Sequence, residues 1–327
     1  MKPLADIDSQ IVCLLKEGSF VSGQEISTAL KLSRSAVWKR INGLRKGGYA
    51  IEARPNKGYK LSTSEKPYTT VAVSSALKTE TFARVLHFHE SVESTNTLAR
   101  KLAQDDAEEG TAVIAQAQTN GRGRRGRAWH SPKGVNLYTS IILRPDISPV
   151  HAPTLTLLAA VALAEAIEEF IAPIRVNVKW PNDILINGRK VAGILTEMSS
   201  EPDKIDHIII GIGVNLNIEA KALPEELAEI ATSLREASGR AVDMTLFACS
   251  LYSSLEKWYA LSLSSGFAPV LAKWRTYFDK VGQNVKVSEG GKGVATEGIC
   301  TGIDDDGALL IKTTDNVIER VVSGDVI

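Results

Sequence analysis

The chain has 327 residues, of which 44% are hydrophobic and 23% charged, an ordinary composition for a globular protein. Its length predicts two or three domains. No signal peptide is visible, no run approaches the ~18 apolar residues of a membrane span, and the three cysteines are scattered. These features argue against exported and membrane-spanning classes, and we expect a cytoplasmic protein with reduced thiols.

The formal net charge of zero hides an uneven distribution of charge. Residues 31–60 contain nine basic residues and one acidic residue, whereas residues 1–30 contain two basic and four acidic ones. The remainder of the chain is therefore acidic. A basic segment on an acidic body is typical of a polyanion-binding domain, although a solvated lysine-rich surface has the same charge.

The first sixty residues predict three helices followed by a β-hairpin. An apolar repeat of helical spacing covers residues 7–15. Ser22 and Glu25 have the spacing of a capping box that begins a second helix. Ser33 caps a third helix, and residues 49–61 read as a hairpin with a basic tip.

This order predicts a winged helix-turn-helix DNA-binding domain at residues 1–63, with the third helix in the major groove and the hairpin across a phosphate backbone. The candidate DNA-binding residues are polar, basic or aromatic and lie on the outer side of these elements. They are Ser22, Arg34, Ser35, Trp38, Lys39, Asn42, Arg45, Lys46, Arg54 and Lys57. A winged helix used only for protein contacts is the alternative, which the basic charge disfavours.

The rest of the chain divides by its pattern of hydrophobic residues. A polar stretch opens a predicted linker at residues 64–83. Residues 84–278 alternate seven strand-like runs with longer helical ones, which predicts an α+β domain with one mixed sheet and flanking helices. Residues 279–327 change to short strands and turns, which predicts a small SH3-like β-barrel. The predicted fold class is therefore multidomain α+β.

Candidate chemistry begins at Gly121–Arg127, the sequence Gly-Arg-Gly-Arg-Arg-Gly-Arg, called here the arginine loop. It matches the GxGxxG fingerprint of dinucleotide-binding proteins, but that fingerprint must open a helix, whereas a strand at residues 136–143 follows here. The glycines let the backbone fold closely around a ligand, and the arginines suit phosphate or carboxylate oxygens. A basic surface loop for nucleic acid is the alternative for this segment alone.

Two further segments disfavour that alternative. Lys179–Asp183, Lys-Trp-Pro-Asn-Asp, ends a strand and places polar side chains at the edge of the sheet. Lys190 lies on the next strand, with Gly193 three residues on to let a ligand approach. Residues 211–217, Gly-Ile-Gly-Val-Asn-Leu-Asn, put glycines inside a strand, which indicates close approach to the backbone.

Together these segments resemble the biotin protein ligases, and among them the bifunctional kind that also represses the biotin biosynthetic operon. Ser94-Thr95-Asn96, Gln118, the arginine loop and the motifs that follow it occur in the order of that family. The resemblance covers essentially the whole chain. It implies a class II synthetase-like catalytic fold between the winged helix and the barrel.

The resemblance also implies an activity. Such a ligase activates biotin with ATP to biotinoyl-5'-AMP and transfers biotin to a lysine of the biotin carboxyl carrier protein of acetyl-CoA carboxylase. ATP and Mg²⁺ are the implied cofactors, with Mg²⁺ held through phosphates rather than by the protein alone. Biotinoyl-5'-AMP is the implied corepressor, with which a homodimer binds operator DNA. No membrane partner is expected.

The resemblance assigns residues to three overlapping sets. The catalytic set is Arg122, Arg124, Lys190 and Asp183, with Asp183 either a metal ligand or a base. The biotin-binding set is Ser94, Thr95, Asn96, Gln118, Gly121, Arg122, Gly123, Arg124, Lys190 and Gly193. The ATP- and adenylate-binding set is Arg124, Arg125, Arg127, Trp129, Lys179, Asn182, Asp183 and Asn215.

Because like charges repel and glycines cost entropy to order, we expect the arginine loop to be mobile without ligand. Three alternative functions stay open at this point. The first is a lipoate ligase, which shares the adenylation chemistry. The others are a biotin-sensing transcription factor without ligase activity and a ligase without DNA binding. The arginine loop and the winged helix favour the bifunctional biotin enzyme.

Overall fold

The computed structural model describes residues 4–15, 19–62, 68–288 and 295–326. By its internal contacts the chain divides into two units, Met1–Lys78 and Thr79–Ile327. The beginning of the predicted linker, as far as residue 67, lies outside the described residues.

The first unit contains three helices and an antiparallel hairpin around one apolar core. Buried Val37, Ile41 and Leu44 form the inner side of the third helix, as their spacing predicts. The predicted capping box is present, since Ser22 Oγ accepts from the Glu25 amide at 3.1 Å and the Glu25 carboxylate accepts from the Ser22 amide at 2.7 Å. The predicted helix-turn-helix domain is thereby confirmed. Its elements are α1 (Leu4–Leu15), α2 (Gly23–Leu30), α3 (Arg34–Lys46), β1 (Ile51–Arg54) and β2 (Gly58–Leu61).

A further helix, α4 (Thr70–Ala76), lies within the segment predicted to be a linker. Thr69 caps it by accepting from the Ala72 amide at 3.2 Å, and Ala72 and Val73 are buried. The helix packs against α1. The linker prediction is therefore wrong for these residues, because a polar stretch before Pro67 masked a short apolar segment that has its own helix cap.

The second unit is built on one mixed seven-stranded sheet. The strands are β3 (Leu86–His89), β4 (Ala112–Ala115), β5 (Leu137–Leu143), β6 (Asn177–Lys179), β7 (Asp183–Ile186), β8 (Arg189–Ser200) and β9 (Ile205–Val214). Their order is β3-β4-β5-β9-β8-β7-β6. The pair β3 and β4 is parallel and the other neighbours are antiparallel. The seven predicted strand runs are confirmed, with ends shifted by a few residues.

Helices cover the sheet and connect its strands. They are α5 (Thr95–Gln104), α6 (Ala152–Ile171), α7 (Glu225–Ala228), α8 (Leu234–Ser238), α9 (Met244–Ser265) and α10 (Ala268–Arg275). Contrary to the sequence-based expectation, the segment Pro149–Ile171 is long and apolar enough by composition to cross a membrane. Inside this fold, however, 72% of its apolar 18-residue window is buried, and α6 packs against α9, α10 and β8. We therefore assign α6 to the core of the unit.

The chain ends in a five-stranded antiparallel sheet, which confirms the predicted β-rich tail. Its strands are β10 (Asn284–Ser288), β11 (Thr296–Ile303), β12 (Leu309–Lys312), β13 (Ile318–Val321) and β14 (Asp325–Val326), in the order β13-β12-β11-β10-β14. The buried indole of Trp180 joins it to the larger sheet, since Trp180 Nε1 donates to the Gly307 carbonyl at 3.0 Å.

Glu256 on α9 holds the beginning of the second unit, because its carboxylate accepts from the backbone amides of Glu80, Thr81 and Phe82 at 3.0, 2.6 and 2.9 Å. We expect Glu256→Gln to lower the free energy of unfolding by about 1–3 kcal/mol, since the amide replaces an accepting oxygen with a donor. Urea unfolding measures this change. The exposed Glu226→Gln is the control, and equal stability of the two variants would contradict the assignment.

Candidate active site and DNA-binding surface

A cavity of about 490 Å³ opens on the seven-stranded sheet. Its volume is within the range of roughly 300–1,000 Å³ that is usual for small-molecule sites. The arginine loop, the beginning of α5, strands β7 to β9 and Asp325 surround it. Most of the predicted ligand-binding residues line it, namely Ser94, Thr95, Asn96, Gln118, Arg122, Gly123, Arg124, Arg127, Trp129, Lys179, Asn182, Asp183, Lys190, Gly193 and Asn215.

Two predicted residues, Gly121 and Arg125, lie outside the lining of the cavity. Gly121 is buried, and a Cβ there would approach the Trp129 carbonyl to 2.5 Å and Ser131 Oγ to 2.6 Å. Arg125 has a positive φ of 56° and donates to the Ser288 carbonyl at 3.2 Å. Both residues have a part in shaping the arginine loop, and their contact with ligand stays a prediction.

The arginine loop is a compact turn that leads into β5. Gly123 donates its amide to the Arg127 carbonyl at 2.7 Å, and the Trp129 amide donates to the Gly121 carbonyl at 2.9 Å. A single 3₁₀ turn at Arg124–Gly126 is the helical part of the loop. The absence of a following helix agrees with the rejection of the dinucleotide fingerprint.

Carboxylates from distant parts of the chain pair with the arginines. Arg124 Nη1 lies 3.3 Å from Asp325 Oδ1 and also donates to Asn182 Oδ1 at 3.1 Å, and Arg127 hydrogen-bonds the second oxygen of Asp325. Arg122 Nη2 donates to both oxygens of Glu197 at 3.2 Å. Burial lowers the pKa of the Arg124 guanidinium, and Asp325 opposes this shift. These carboxylates reduce the repulsion between the arginines, from which we expect the arginine loop to be mobile without ligand. The mobility of the loop stays a prediction.

A second group of charges lies on the strands. Lys190 Nζ is 2.7 Å from Asp183 Oδ1 and 5.3 Å from the centre of the Trp129 ring. The ring lies against two glycines, since a Cβ on Gly213 would come within 2.6 Å of it and one on Gly193 within 3.2 Å. The predicted close approach to these strands is therefore present, but the approaching group is a tryptophan of the same chain.

Three predicted asparagines use their amides within the protein. Asn96 donates to the Leu195 carbonyl at 3.1 Å and to Glu197 at 2.8 Å, and accepts from Ser140 at 2.6 Å. Asn182 donates to the Ile194 carbonyl at 2.8 Å. Asn215 likewise donates to the Thr232 carbonyl at 3.0 Å, and its oxygen accepts from Asn136 at 3.3 Å. These asparagines line the cavity while fixing its walls.

Thr95 and Gln118, together with Ser94, form the part of the cavity lining that we call the Thr95 end. The Thr95 amide and hydroxyl both donate to Gln118 Oε1, at 2.9 and 3.2 Å. Gln118 Nε2 in turn donates to Ser131 Oγ at 3.0 Å. This arrangement leaves a row of small polar groups, beginning with buried Ser94, to face a polar ligand.

Sequence reasoning missed an apolar wall made by residues 223–231. Leu223, Leu227 and Ile230 line the cavity, and Lys190 is held beside them because its amide donates to the Ile230 carbonyl at 2.8 Å. The segment contains only the one-turn helix α7, so its periodicity is too short to carry a signal. Apolar side chains beside a cationic cluster suit a ligand with both a flat ring and an anionic group.

The first unit presents the predicted DNA-binding residues in two classes. Arg34, Ser35, Trp38, Lys39 and Lys46 are exposed on α3, Lys57 is exposed at the hairpin tip, and Asn42 is half-buried on α3.

The other three have partners within the unit. Arg45 donates twice to the Ile51 carbonyl, at 2.9 and 2.7 Å, and Arg54 pairs with Glu52 at 2.6 Å. Ser22 is occupied in the capping box. In the first class only Ser35 has a side-chain hydrogen bond among the described residues, to Ser33 Oγ at 3.0 Å. The basic residues of this class have no such partner among the described residues, which favours them for contact with a nucleic acid.

Comparison with known proteins gives consistent matches along the whole chain. Residues 8–60 match the HTH domain, residues 88–215 the Biotin/lipoate A/B protein ligase family, and residues 280–327 the Biotin protein ligase C terminal domain. The structure resembles a biotin protein ligase from Aquifex aeolicus in complex with biotin and ATP, with a TM-score of 0.64 and 30% identity. That match covers 75% of this chain and 98% of that one.

Two relatives cover nearly the full length. The bifunctional ligase/repressor BirA of Bacillus subtilis is 44% identical over 94% of this chain and 93% of its own length. The protein of the same name from Escherichia coli is 32% identical over 97% of this chain and 95% of its own length. The resemblance found in the sequence is thus confirmed, and the chain belongs to the bifunctional biotin ligase/repressor family.

Proposed function

We propose that the chain activates biotin with ATP to biotinoyl-5'-AMP and then transfers biotin to a lysine of the biotin carboxyl carrier protein of acetyl-CoA carboxylase. The observation that carries the proposal is one cavity lined by three arginines of the arginine loop, Lys190 and an apolar wall. The related protein from Aquifex aeolicus, crystallised with biotin and ATP, has the same fold. The enzyme is accordingly a biotin–[biotin carboxyl carrier protein] ligase.

The difficulty of the first step is electrostatic, because an anionic carboxylate must attack an anionic phosphate. Cations fixed in advance around the reacting atoms remove this repulsion without reorganising during the reaction. Arg122, Arg124 and Lys190 supply such cations, and the protein holds each of them with a carboxylate or amide partner. Bound ligand oxygens would replace part of these partners.

We assign the two ends of the cavity to the two substrates. The row of Ser94, Thr95 and Gln118 suits the ureido group of biotin, which both donates and accepts hydrogen bonds. Trp129 and the apolar wall suit the adenine ring. The arginines and Lys190 are the cationic part of the lining, and we assign the carboxylate of biotin and the α-phosphate of ATP to them.

Mg²⁺ would neutralise the phosphate oxygens of ATP, and Asp183 is the residue best suited to share it. Among the described residues, no group of three or more histidines, cysteines, aspartates and glutamates could hold a metal ion. A cation held chiefly by phosphate oxygens, with one protein carboxylate, fits this donor set.

We further propose that biotinoyl-5'-AMP acts as corepressor, with which a homodimer binds the operator of the biotin operon in the cytoplasm. Two relatives across the full length carry the name ligase/repressor. The exposed basic residues of α3 and the hairpin support contact with DNA.

Lys190→Ala is expected to reduce the release of pyrophosphate from biotin and ATP by about 100-fold or more, because a fixed cation at the reacting phosphate is lost. Lys312→Ala, on the exposed face of β12, is the matched control. Absence of pyrophosphate release from the unaltered protein would overturn the enzymatic proposal itself.

Transfer of the acyl group to the carrier protein distinguishes a biotin ligase from a lipoate ligase. We expect mass spectrometry of an apo-carrier mixed with both acids and ATP to show the biotin adduct. A lipoyl adduct would identify a lipoate ligase, which the matched family description also includes.

Asp183→Asn tests the two roles left open for this carboxylate. If Asp183 is a metal ligand, the substitution should raise the Mg²⁺ concentration needed for half-maximal pyrophosphate release by about tenfold, since one charge-assisted ligand is lost. Transfer of biotin from supplied biotinoyl-5'-AMP should then change little. Slow transfer at an unchanged Mg²⁺ requirement would instead identify Asp183 as the base for the incoming lysine.

On the DNA side, Lys39→Ala should weaken operator binding in the presence of biotinoyl-5'-AMP. If Lys39 contacts a phosphate, the slope of log affinity against log salt falls by about one. Arg45→Ala should instead lower the melting temperature of the first unit, because it removes the two bonds to Ile51. Filter binding over a salt titration measures the first effect and thermal unfolding the second, and an unchanged slope in Lys39→Ala would refute the phosphate contact.

A further inference from the structure

Glu197 on β8 stands out because it links two parts of the site while lying outside the lining of the cavity. Its side chain is 25% exposed. Both of its carboxylate oxygens accept a hydrogen bond from Arg122 Nη2 at 3.2 Å, and Oε2 also accepts one from Asn96 Nδ2 at 2.8 Å. Arg100 Nη1 lies 3.8 Å from Oε1.

The contact with Asn96 ties Glu197 to a rigid part of the protein. Asn96 is buried and also donates to the Leu195 carbonyl. It fills the space left by Gly211, where a Cβ would lie 1.9 Å from its oxygen. Its oxygen accepts from Ser140, whose hydroxyl also lies 2.8 Å from Thr95 Oγ1. A continuous series of close polar contacts therefore connects Glu197 to the Thr95 end of the cavity.

The contact with Arg122 ties Glu197 to the arginine loop. The other arginines of this loop pair with Asp325 at the end of the chain. Arg122 is thus held by Glu197 on β8, whereas the other arginines of the loop are held by Asp325. Its Nε is buried and has no hydrogen-bond partner among the described residues, so this guanidinium keeps one donor for an additional acceptor.

We propose that Glu197 is a positioning residue of the adenylation site. It orients Arg122 and thereby fixes the first half of the arginine loop against the biotin end of the cavity. This inference rests on the proposed function, because it takes the arginine loop to close over biotinoyl-5'-AMP. Glu197 itself touches neither substrate and acts through Arg122.

Glu197→Gln separates this role from simple packing. The glutamine oxygen can still accept from Asn96, but the charged pair with Arg122 is lost. We expect biotinoyl-5'-AMP to dissociate about tenfold faster, as for the loss of one charge-assisted hydrogen bond. The KM for biotin should rise to a similar extent, and the KM for ATP by no more than about twofold, because the series of polar contacts leads to the Thr95 end.

Glu165→Gln is the matched control. Glu165 is also 25% exposed and pairs with Lys257 and Lys273, away from the cavity. Its replacement measures the general effect of losing such a carboxylate, and we expect it to leave adenylate dissociation unchanged. If both variants alter dissociation and melting temperature equally, Glu197 is only a structural ion pair.

Arg122→Gln and the double variant test whether Glu197 acts through Arg122. If it does, the double variant dissociates adenylate no faster than Arg122→Gln alone. Multiplied effects in the double variant would overturn the proposal. Should Glu197→Gln fail to fold, Glu197→Asp keeps the charge but withdraws it by one methylene, and it should give a smaller loss in the same direction.

Adenylate formation by the unaltered protein separates failure of the proposed ligase activity from failure of the positioning role of Glu197. If it forms no biotinoyl-5'-AMP from biotin and ATP, the proposed function fails whatever Glu197 does. If it forms the adenylate and Glu197→Gln retains it normally, the function stands and the positioning role is refuted.

Discussion

The concentration of positive charge in the arginine loop is the constraint on which the rest of the site depends. Four guanidinium groups within seven residues repel one another and must be held by anions. The protein supplies Glu197 from the middle of the large sheet and Asp325 from the last strand of the small one. The long hairpin of β8 and β9 and the placement of the terminal sheet beside the loop both serve this pairing.

The site also requires glycines on β9, where side chains from other elements pack directly against the backbone of the strand. Gly211 and Gly213 have no side chains, and Asn96 and Trp129 occupy the space that a Cβ there would fill. The cavity wall at this strand is therefore made of side chains from other elements of the fold. A larger residue at either position would push a wall of the cavity out of place.

Much of this arrangement could be predicted from local sequence. Helix caps, the apolar repeat of α3, the order of strands and the non-helical character of the arginine loop are properties of neighbouring residues. Glu197 and Asp325 could not be found in this way, because their partners are 75 and 198–201 positions away along the chain. The apolar wall at residues 223–231 lacks a periodic pattern, and α4 was hidden by the polar residues before it. Prediction from the sequence therefore found most of the residues that line the cavity and missed the carboxylates that pair with the arginines.

The position of Asp325 has a consequence for how an anionic ligand enters. Arg124 and Arg127 share the single carboxylate of Asp325, so under the proposed function an incoming phosphate competes with that carboxylate for the two guanidinium groups. The free energy gained is the difference between two ion pairs, which makes selectivity depend on the shape and number of oxygens more than on charge alone. Because Asp325 belongs to β14, the proposed function implies that occupancy of the cavity and the position of β14 are thermodynamically linked.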